Sequence, residues 1–298
     1  MRIFLTGATG FMGTTIAREL ITAGHQVLGL TRSELGAHAL AAAGVEAHHG
    51  DIDDLDSLRR GAKFVDGVIH TAFNHDFSTF VANCERDRQA IEAMGAVLEG
   101  SQRPLIITSA VGMGSMGNNA LASEDHFNPD HPNPRKASEL GGLAVAQRGV
   151  NVCVIRLSQV HDTVKQGLIS PLIELAQHKG VSAYVGDGQN RWSAVHISDA
   201  ARLYVLALEK NSAGSRYHAV AQEGISMRTI ADTIGRILNV PVMRIEAKDA
   251  PAHFGWISAF VDHDMSASSA LTQQRLAWHP TGPGLIADLD HMRVQTAP

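Results

Sequence analysis

Three glycines spaced three residues apart, Gly7, Gly10 and Gly13, follow the apolar run Arg2 to Thr6 and lead into an amphipathic stretch from Met12 to Ala23. Few folds send a strand through so tight a glycine turn straight into a helix. Where side chains are missing, main-chain amides and the helix N-terminus can approach a pyrophosphate. Gly13 also lets the first helix pack closely on the strand. The pattern predicts a dinucleotide site built from Gly7, Thr9, Gly10, Phe11, Met12 and Gly13. A glycine-rich turn without a ligand is the alternative.

Further apolar runs occur at Gln26 to Leu30, Val45 to His48, Val65 to His70, Pro104 to Ser109 and Asn151 to Leu157, separated by helix-compatible segments. They are rich in Val and Ile and lack strict polar alternation, as expected of parallel strands covered by helices on both faces. The fold class expected is α/β: a Rossmann-type doubly wound parallel sheet with a smaller C-terminal substrate lobe. In a chain of 298 residues this suggests a dinucleotide-binding domain over 1–160 and a lobe over 161–298. No linker marks the boundary, so the two are expected to be interwoven. Within the second part, Met227, Ile230, Ile234 and Ile237 recur at helical spacing and read as a core-facing stripe.

A net charge of −5 without blocks of either sign gives no footprint for nucleic acid, and no apolar stretch is long enough to cross a membrane. Small molecules are the expected partners. Cys84 and Cys153 lack CxxC spacing, and the first apolar segment stops at Thr6, unlike a secretory leader, so a reducing, cytoplasmic setting is expected. Sixteen histidines raise the question of metal. Neither His48-His49 nor Asp262-His263-Asp264 belongs to a recognisable ligand set, and no metal site is expected.

In dinucleotide folds an acidic residue near the end of the second strand grips the ribose diol and repels a 2′-phosphate. Here that place reads Thr31-Arg32-Ser33. Arg32 can pair with a phosphate and Ser33 can donate to it, which favours NADP(H) over NAD(H). Asp51 and Ile52, after the third strand, suit the adenine amino group and ring face. Asp51 could instead cap the next helix.

Taken together, the glycine turn, Gly50-Asp51-Ile52, His70-Thr71-Ala72, Thr108-Ser109-Ala110, Val154 to Leu157 and Trp192 to Ala201 resemble the extended short-chain dehydrogenase/reductase superfamily. Within it they are most similar to atypical, epimerase/dehydratase-like members. The resemblance covers nearly the whole chain and implies that Thr71, Ala72 and Phe73 also touch the cofactor. It implies too that Ser109 donates a hydrogen bond to the substrate oxygen. One departure matters. The family pairs a Tyr with a Lys four residues on to exchange a proton with that oxygen, whereas Tyr184, Tyr204 and Tyr217 are followed at that spacing by Gly188, Leu208 and Ala221.

Two registers can fill the vacant slot. Matching Lys136 to the family lysine puts Pro132 in the tyrosine position, where it cannot move a proton. Matching Glu139 to the acidic residue later on that helix puts His131 and Arg135 there, the register preferred here. His131 is then a candidate acid, with Arg135 favouring its neutral form. A plain loop histidine is the alternative, since Pro132 and Pro134 suit a loop entering a helix. His75, in the run after the fourth strand with Asn74, is a second candidate proton donor. Tyr184 and Trp192 are candidate pocket walls, Arg191 an anion ligand or a structural partner of Asp199, and His161 pocket wall or core.

The function expected is an NADP(H)-dependent oxidoreductase interconverting a small-molecule carbonyl and a secondary alcohol, acting as a ketone or aldehyde reductase. A sugar-nucleotide epimerase or dehydratase and a cofactor-reading redox sensor are the alternatives. A second copy of the chain is a candidate partner.

Overall fold

The computed structural model describes residues 1–117 and 120–292, so the end of the expected lobe, 293–298, lies outside the described residues. The first half alternates strand and helix. It runs β1 (Arg2–Thr6), α1 (Phe11–Thr22), β2 (Gln26–Thr31), α2 (Glu34–Ala42), β3 (Glu46–His49), α3 (Leu55–Lys63), β4 (Gly67–His70), α4 (Phe80–Leu98), β5 (Pro104–Ala110), α5 (Lys136–Ala146) and β6 (Asn151–Leu157). Then come β7 (Gln159–His161), α6 (Ile169–Lys179), β8 (Ser182–Val185), β9 (Arg191–His196), α7 (Ile197–Lys210), β10 (Arg216–Ala219), β11 (Gln222–Ser226), α8 (Met227–Leu238) and β12 (Val242–Ile245). The short helices α9 (Ala250–Phe254), α10 (Ser258–Val261), α11 (Ala270–Leu276) and α12 (Leu285–Asp290) end the described chain.

Among the described residues the main sheet has seven strands in the order β10-β6-β5-β4-β1-β2-β3, and every neighbouring pair is parallel. The fold is therefore the doubly wound α/β class expected. Side chains alternate across the sheet. Ile3, Leu5, Ile106 and Ile155 pack with Ile16, Leu20 and Tyr204 of α1 and α7. Phe4, Leu105, Ile107, Val152 and Val154 pack with Leu58, Ile91, Met94 and Val145 of α3, α4 and α5. Both faces are thus apolar, which is why the strands read as continuous runs.

Beyond residue 160 the chain divides. Helix α7 returns to cover the main sheet beside α1, and β10 extends that sheet as its edge strand. The remainder builds a second core beneath the sheets β11-β9-β7 and β12-β8. On α8, Met227, Ile230 and Ile234 are buried in that core and Ile237 packs at its margin, as their spacing predicts. No helix among the described residues is long and apolar enough to cross a membrane. Nor, among those residues, do three or more His, Cys, Asp or Glu gather as a metal site.

Candidate active site

Between β1 and β4 the strand order reverses, and the carboxyl ends of the strands leave a crevice there. Gly7 turns at φ +70°, and a Cβ on it would stand 2.8 Å from Thr71 Oγ1 and 2.9 Å from Ala72 N. Only glycine fits where the exit of β4 crosses the turn. Gly10 is the N-cap of α1 and offers no side-chain cap. Thr14 donates to Gly10 O at 3.0 Å, so the amides of Phe11, Met12 and Gly13 precede the first helical bond and remain for an anion. These residues fit a dinucleotide pyrophosphate. The Thr6 hydroxyl fixes the adjoining wall: it accepts from Thr71 N and Ala72 N, both at 3.2 Å, and bonds His70 Nδ1 at 2.7 Å.

At the end of β2, the Arg32 guanidinium is 78% exposed and lies 3.7 Å from the Asp51 carboxylate. Ser33 caps α2, its Oγ accepting from Gly36 N at 3.1 Å, which leaves its hydroxyl proton free to donate. The capping alternative for Asp51 is corrected. Asp54 caps α3, and Asp51 instead accepts from Asp53 N, because the chain makes one more turn before the helix starts. Ile52 is half-buried and packs on the core below.

Across the crevice a buried polar network joins β1, β4, β5, α4 and the start of α5. His70 Nε2 meets Asp87 Oδ1 at 3.1 Å, while Asp87 Oδ2 accepts from Arg135 at 2.7 Å and from Ser138 Oγ at 2.5 Å. Arg135 also donates to Ser138 and to the Thr108 carbonyl, and its guanidinium stands 4.1 Å over the Phe73 ring. Burial alone would raise the Asp87 pKa, but Arg135, His70 and Ser138 outweigh it and hold the carboxyl at about 2. One turn further along α5, Glu139 forms a bidentate pair with Arg156 of β6 at 2.7 and 2.9 Å, both side chains fully buried. Residues four apart share a helix face, so this anchor also holds Arg135 towards the strand ends.

Ser109, the penultimate residue of β5, is 3% exposed, and its Oγ has no hydrogen-bond partner. A buried hydroxyl left unpaired costs about 1–3 kcal/mol, so this donor suits a ligand oxygen. Tyr204 does not serve as an acid here. Its hydroxyl is buried behind the sheet, 2.7 Å from Thr108 Oγ1, and burial pushes its pKa up.

His75 lies on the exposed loop after β4, edge-on to Phe73 at 5.2 Å. Its pKa is lowered, first because packing around it strips hydration, then by the charges of Arg135 and Lys165. Lys165, on the turn after β7, stands 5.9 Å from the Phe11 ring and has no carboxylate partner among the described residues. Asp162 shapes that turn by accepting from Val164 N and Lys165 N. His75, Phe73, Arg135, Phe11 and Lys165 therefore gather around the crevice.

His131 stands differently. Its Nδ1 accepts from Asn133 N at 3.1 Å, and it lines an open recess of about 510 Å³ with Ser115, His126, Phe127 and Asn128. Its pKa is lowered by burial, Lys136 and His126. The expected electrostatic link to Arg135 is corrected: that guanidinium is turned inward to Asp87.

The lobe residues are dispersed. Trp192 is wholly buried in the lobe core and donates to His263 O, so its placement as a pocket wall is corrected. It packs in one core with Ile230 and Ile234 of α8 and Leu285 and Leu289 of α12. Arg191 pairs with Asp264 at 3.2 Å and not with Asp199, whose carboxylate accepts from Thr281 N and Gly282 N. Tyr184 stands half-buried beneath Arg228 on the two-stranded sheet. Of the two readings for His161, core is the one observed: it is buried and bonds Asp288 at 2.6 Å. Asn74 shapes its own turn by accepting from Asp76 N.

Sequence reasoning missed Asp87, Ser138 and Lys165. Asp87 carried a usable signal. It falls on the stripe Cys84, Asp87, Ile91, Met94, Leu98, so a carboxylate on an apolar face announced a buried partner. Lys165 carried none, being a lone cation in a loop.

A family model for the NAD dependent epimerase/dehydratase family matches residues 3–221. The chain belongs to that family. An uncharacterized protein of Schizosaccharomyces pombe is 49% identical over 97% of this chain and 98% of its own. One from Saccharomyces cerevisiae is 41% identical over 97% and 98%. The family fold is equally clear in a dTDP-glucose 4,6-dehydratase of Streptomyces venezuelae solved with NAD and TYD, which superposes with a TM-score of 0.77 at 20% identity over 98% of this chain and 96% of that one. Family membership makes this an NAD(P)-dependent enzyme of the epimerase/dehydratase type.

Proposed function

We propose that this family member is an NADP(H)-dependent reductase that interconverts a ketone or aldehyde with its alcohol. The observation that carries the reading is the Ser109 hydroxyl, buried without a partner at the carboxyl end of β5 beside the dinucleotide crevice. Held by the Gly7-Gly10-Gly13 turn with Arg32 and Ser33, a nicotinamide coenzyme would supply the hydride for the carbonyl carbon, leaving the C=O π pair on oxygen. The Ser109 O–H donates to that oxygen and stabilises its growing charge. His75 then passes a proton to the oxygen and recovers one from water, which its exposed loop permits. Its lowered pKa makes the protonated ring a stronger acid and leaves less of it protonated at neutral pH, so turnover by this route should rise as the pH falls. Arg135 keeps Phe73 and the β5 carbonyl edge in place, and its charge is already answered by Asp87.

The 2′-phosphate of NADP(H) falls to Arg32 and Ser33. Arg32→Ala is expected to weaken NADPH binding by about tenfold or more, from the loss of a charge-assisted hydrogen bond, and to leave NADH unaffected in calorimetry. Equal losses for both coenzymes would remove the phosphate role. The reaction is tested by following NADPH absorbance with a panel of ketones and aldehydes. Ser109→Ala should lower kcat about 100-fold at unchanged coenzyme affinity. Tight NADPH binding with no turnover of any carbonyl would overturn the reading.

A further inference from the structure

From the crevice an unbroken row of rings runs outward across the boundary between the main sheet and the lobe. Phe73, beneath the Arg135 guanidinium, meets His75 at 5.2 Å and Phe80 at 6.2 Å. His75 lies 6.4 Å from Phe77, which stacks on Trp256 of the lobe at 4.3 Å with only 11° between the planes. Phe260 closes the far side, edge-on to Phe77 at 5.8 Å and to Trp256 at 6.3 Å. These rings are not core. Trp256 is 45% exposed, and Phe73, Phe77, Phe80 and Phe260 are half-buried. A contiguous, partly exposed apolar patch continuous with a crevice is a ligand surface.

Charge narrows the ligand further. Arg135 is satisfied by Asp87, Ser138 and the Thr108 carbonyl, and Arg191 by Asp264 and Ser266. Neither guanidinium is available as a fork for a diphosphate. The surface beside the proposed proton relay is thus aromatic and holds no guanidinium fork; the cation that does stand there, Lys165, is a point charge without the planar geometry of a bidentate clamp.

We infer that the substrate is a carbonyl compound carrying an aromatic ring, with the carbonyl at Ser109 and His75 and the ring packed against Phe77 and Trp256. The inference rests on the reductase reading and deepens it. Aromatic rings prefer offset or edge-on partners, and this row presents partly exposed rings, with the Trp256 side chain 45% exposed although Phe77 stacks on it.

The test compares two methyl ketones that differ in one phenyl group, 4-phenylbutan-2-one and butan-2-one, with the full chain and NADPH. The aromatic ketone should show a KM at least about tenfold lower, a difference of about 1.4 kcal/mol. Trp256→Leu and Phe77→Leu, which keep apolar bulk but remove the ring, should each raise the KM of the aromatic ketone alone. Equal KM values, or a variant effect shared by both ketones, overturns the aromatic subsite and leaves the reductase standing. Binding is read separately from indole fluorescence with NADP⁺ present, since Trp192 and Trp278 are fully buried and Trp256 is the indole that a ligand reaches. Saturable quenching by 4-phenylbutan-2-one, absent in Trp256→Leu, supports the subsite even if NADPH is never oxidised, and in that case the reductase reading falls instead. Neither quenching nor turnover overturns both. Displacement of the aromatic ketone by UDP-glucose at lower concentration would overturn the assignment in favour of a nucleotide sugar.

Discussion

Gly13→Ala is expected to abolish measurable coenzyme binding, with affinity for NADPH and NADH falling together by at least about 100-fold, or more than about 2.7 kcal/mol. A Cβ at this position would stand 2.0 Å from Gly7 O, 2.7 Å from Gly7 C and 2.8 Å from Ala8 Cα. All three are main-chain atoms of the turn and cannot rotate away as a side chain could. Helix α1 must back off from β1, and its N-terminal amides leave the position where a pyrophosphate meets them. Gly24→Ala separates this from loss of fold. Gly24 sits at φ +82° with nothing within 4 Å of a built Cβ. Its replacement should cost about 1–2 kcal/mol of backbone strain and leave coenzyme binding intact. Calorimetry with circular dichroism on both variants decides the matter, and wild-type affinity in Gly13→Ala would remove the glycine turn from the site.

Glu139→Ala should destabilise the fold by about 3–5 kcal/mol, read as a lower urea midpoint at unchanged slope. Glu139 and Arg156 are both fully buried, and Arg216 adds a third bond at 3.0 Å. Removing the carboxylate strands a guanidinium that water cannot reach. The size of the effect comes from that orphaned charge more than from the pair itself. The double variant Glu139→Leu, Arg156→Met should therefore recover most of the loss, since the charge it leaves without its carboxylate, Arg216, is partly exposed to water. A single-variant loss under about 1 kcal/mol would show that Arg156 finds water or another partner.

The two halves of the molecule differ in how far they could be read in advance. The strand runs of the main sheet coincide closely with β1 to β6, and the Gly7-Gly10-Gly13 turn lies where its spacing put it. The second strand of the main motif and its cation, Arg32, were equally visible. Side-chain partnerships were not. Arg191, read as an anion ligand or a partner of Asp199, pairs with Asp264, and Trp192, read as pocket wall, turns inward. The aromatic row draws Phe73 and His75 from the loop after β4 and Trp256 and Phe260 from the helical turn before α10 and from α10 itself, and no local pattern joins them.

Helices, strands and the glycine turn were set locally, because hydrophobic periodicity, glycine stereochemistry and helix capping act over one or two turns of chain. Which carboxylate answers which cation was left to packing. Arg135 and Asp87 are 48 residues apart and Arg191 and Asp264 are 73 apart. Asp87, buried by the closing of sheet against helix, takes the counter-charge the topology delivers to it, because leaving it unpaired in a low dielectric costs more than any local preference can offset; the partly exposed Arg191 and Asp264 meet only because the fold brings their distant segments together.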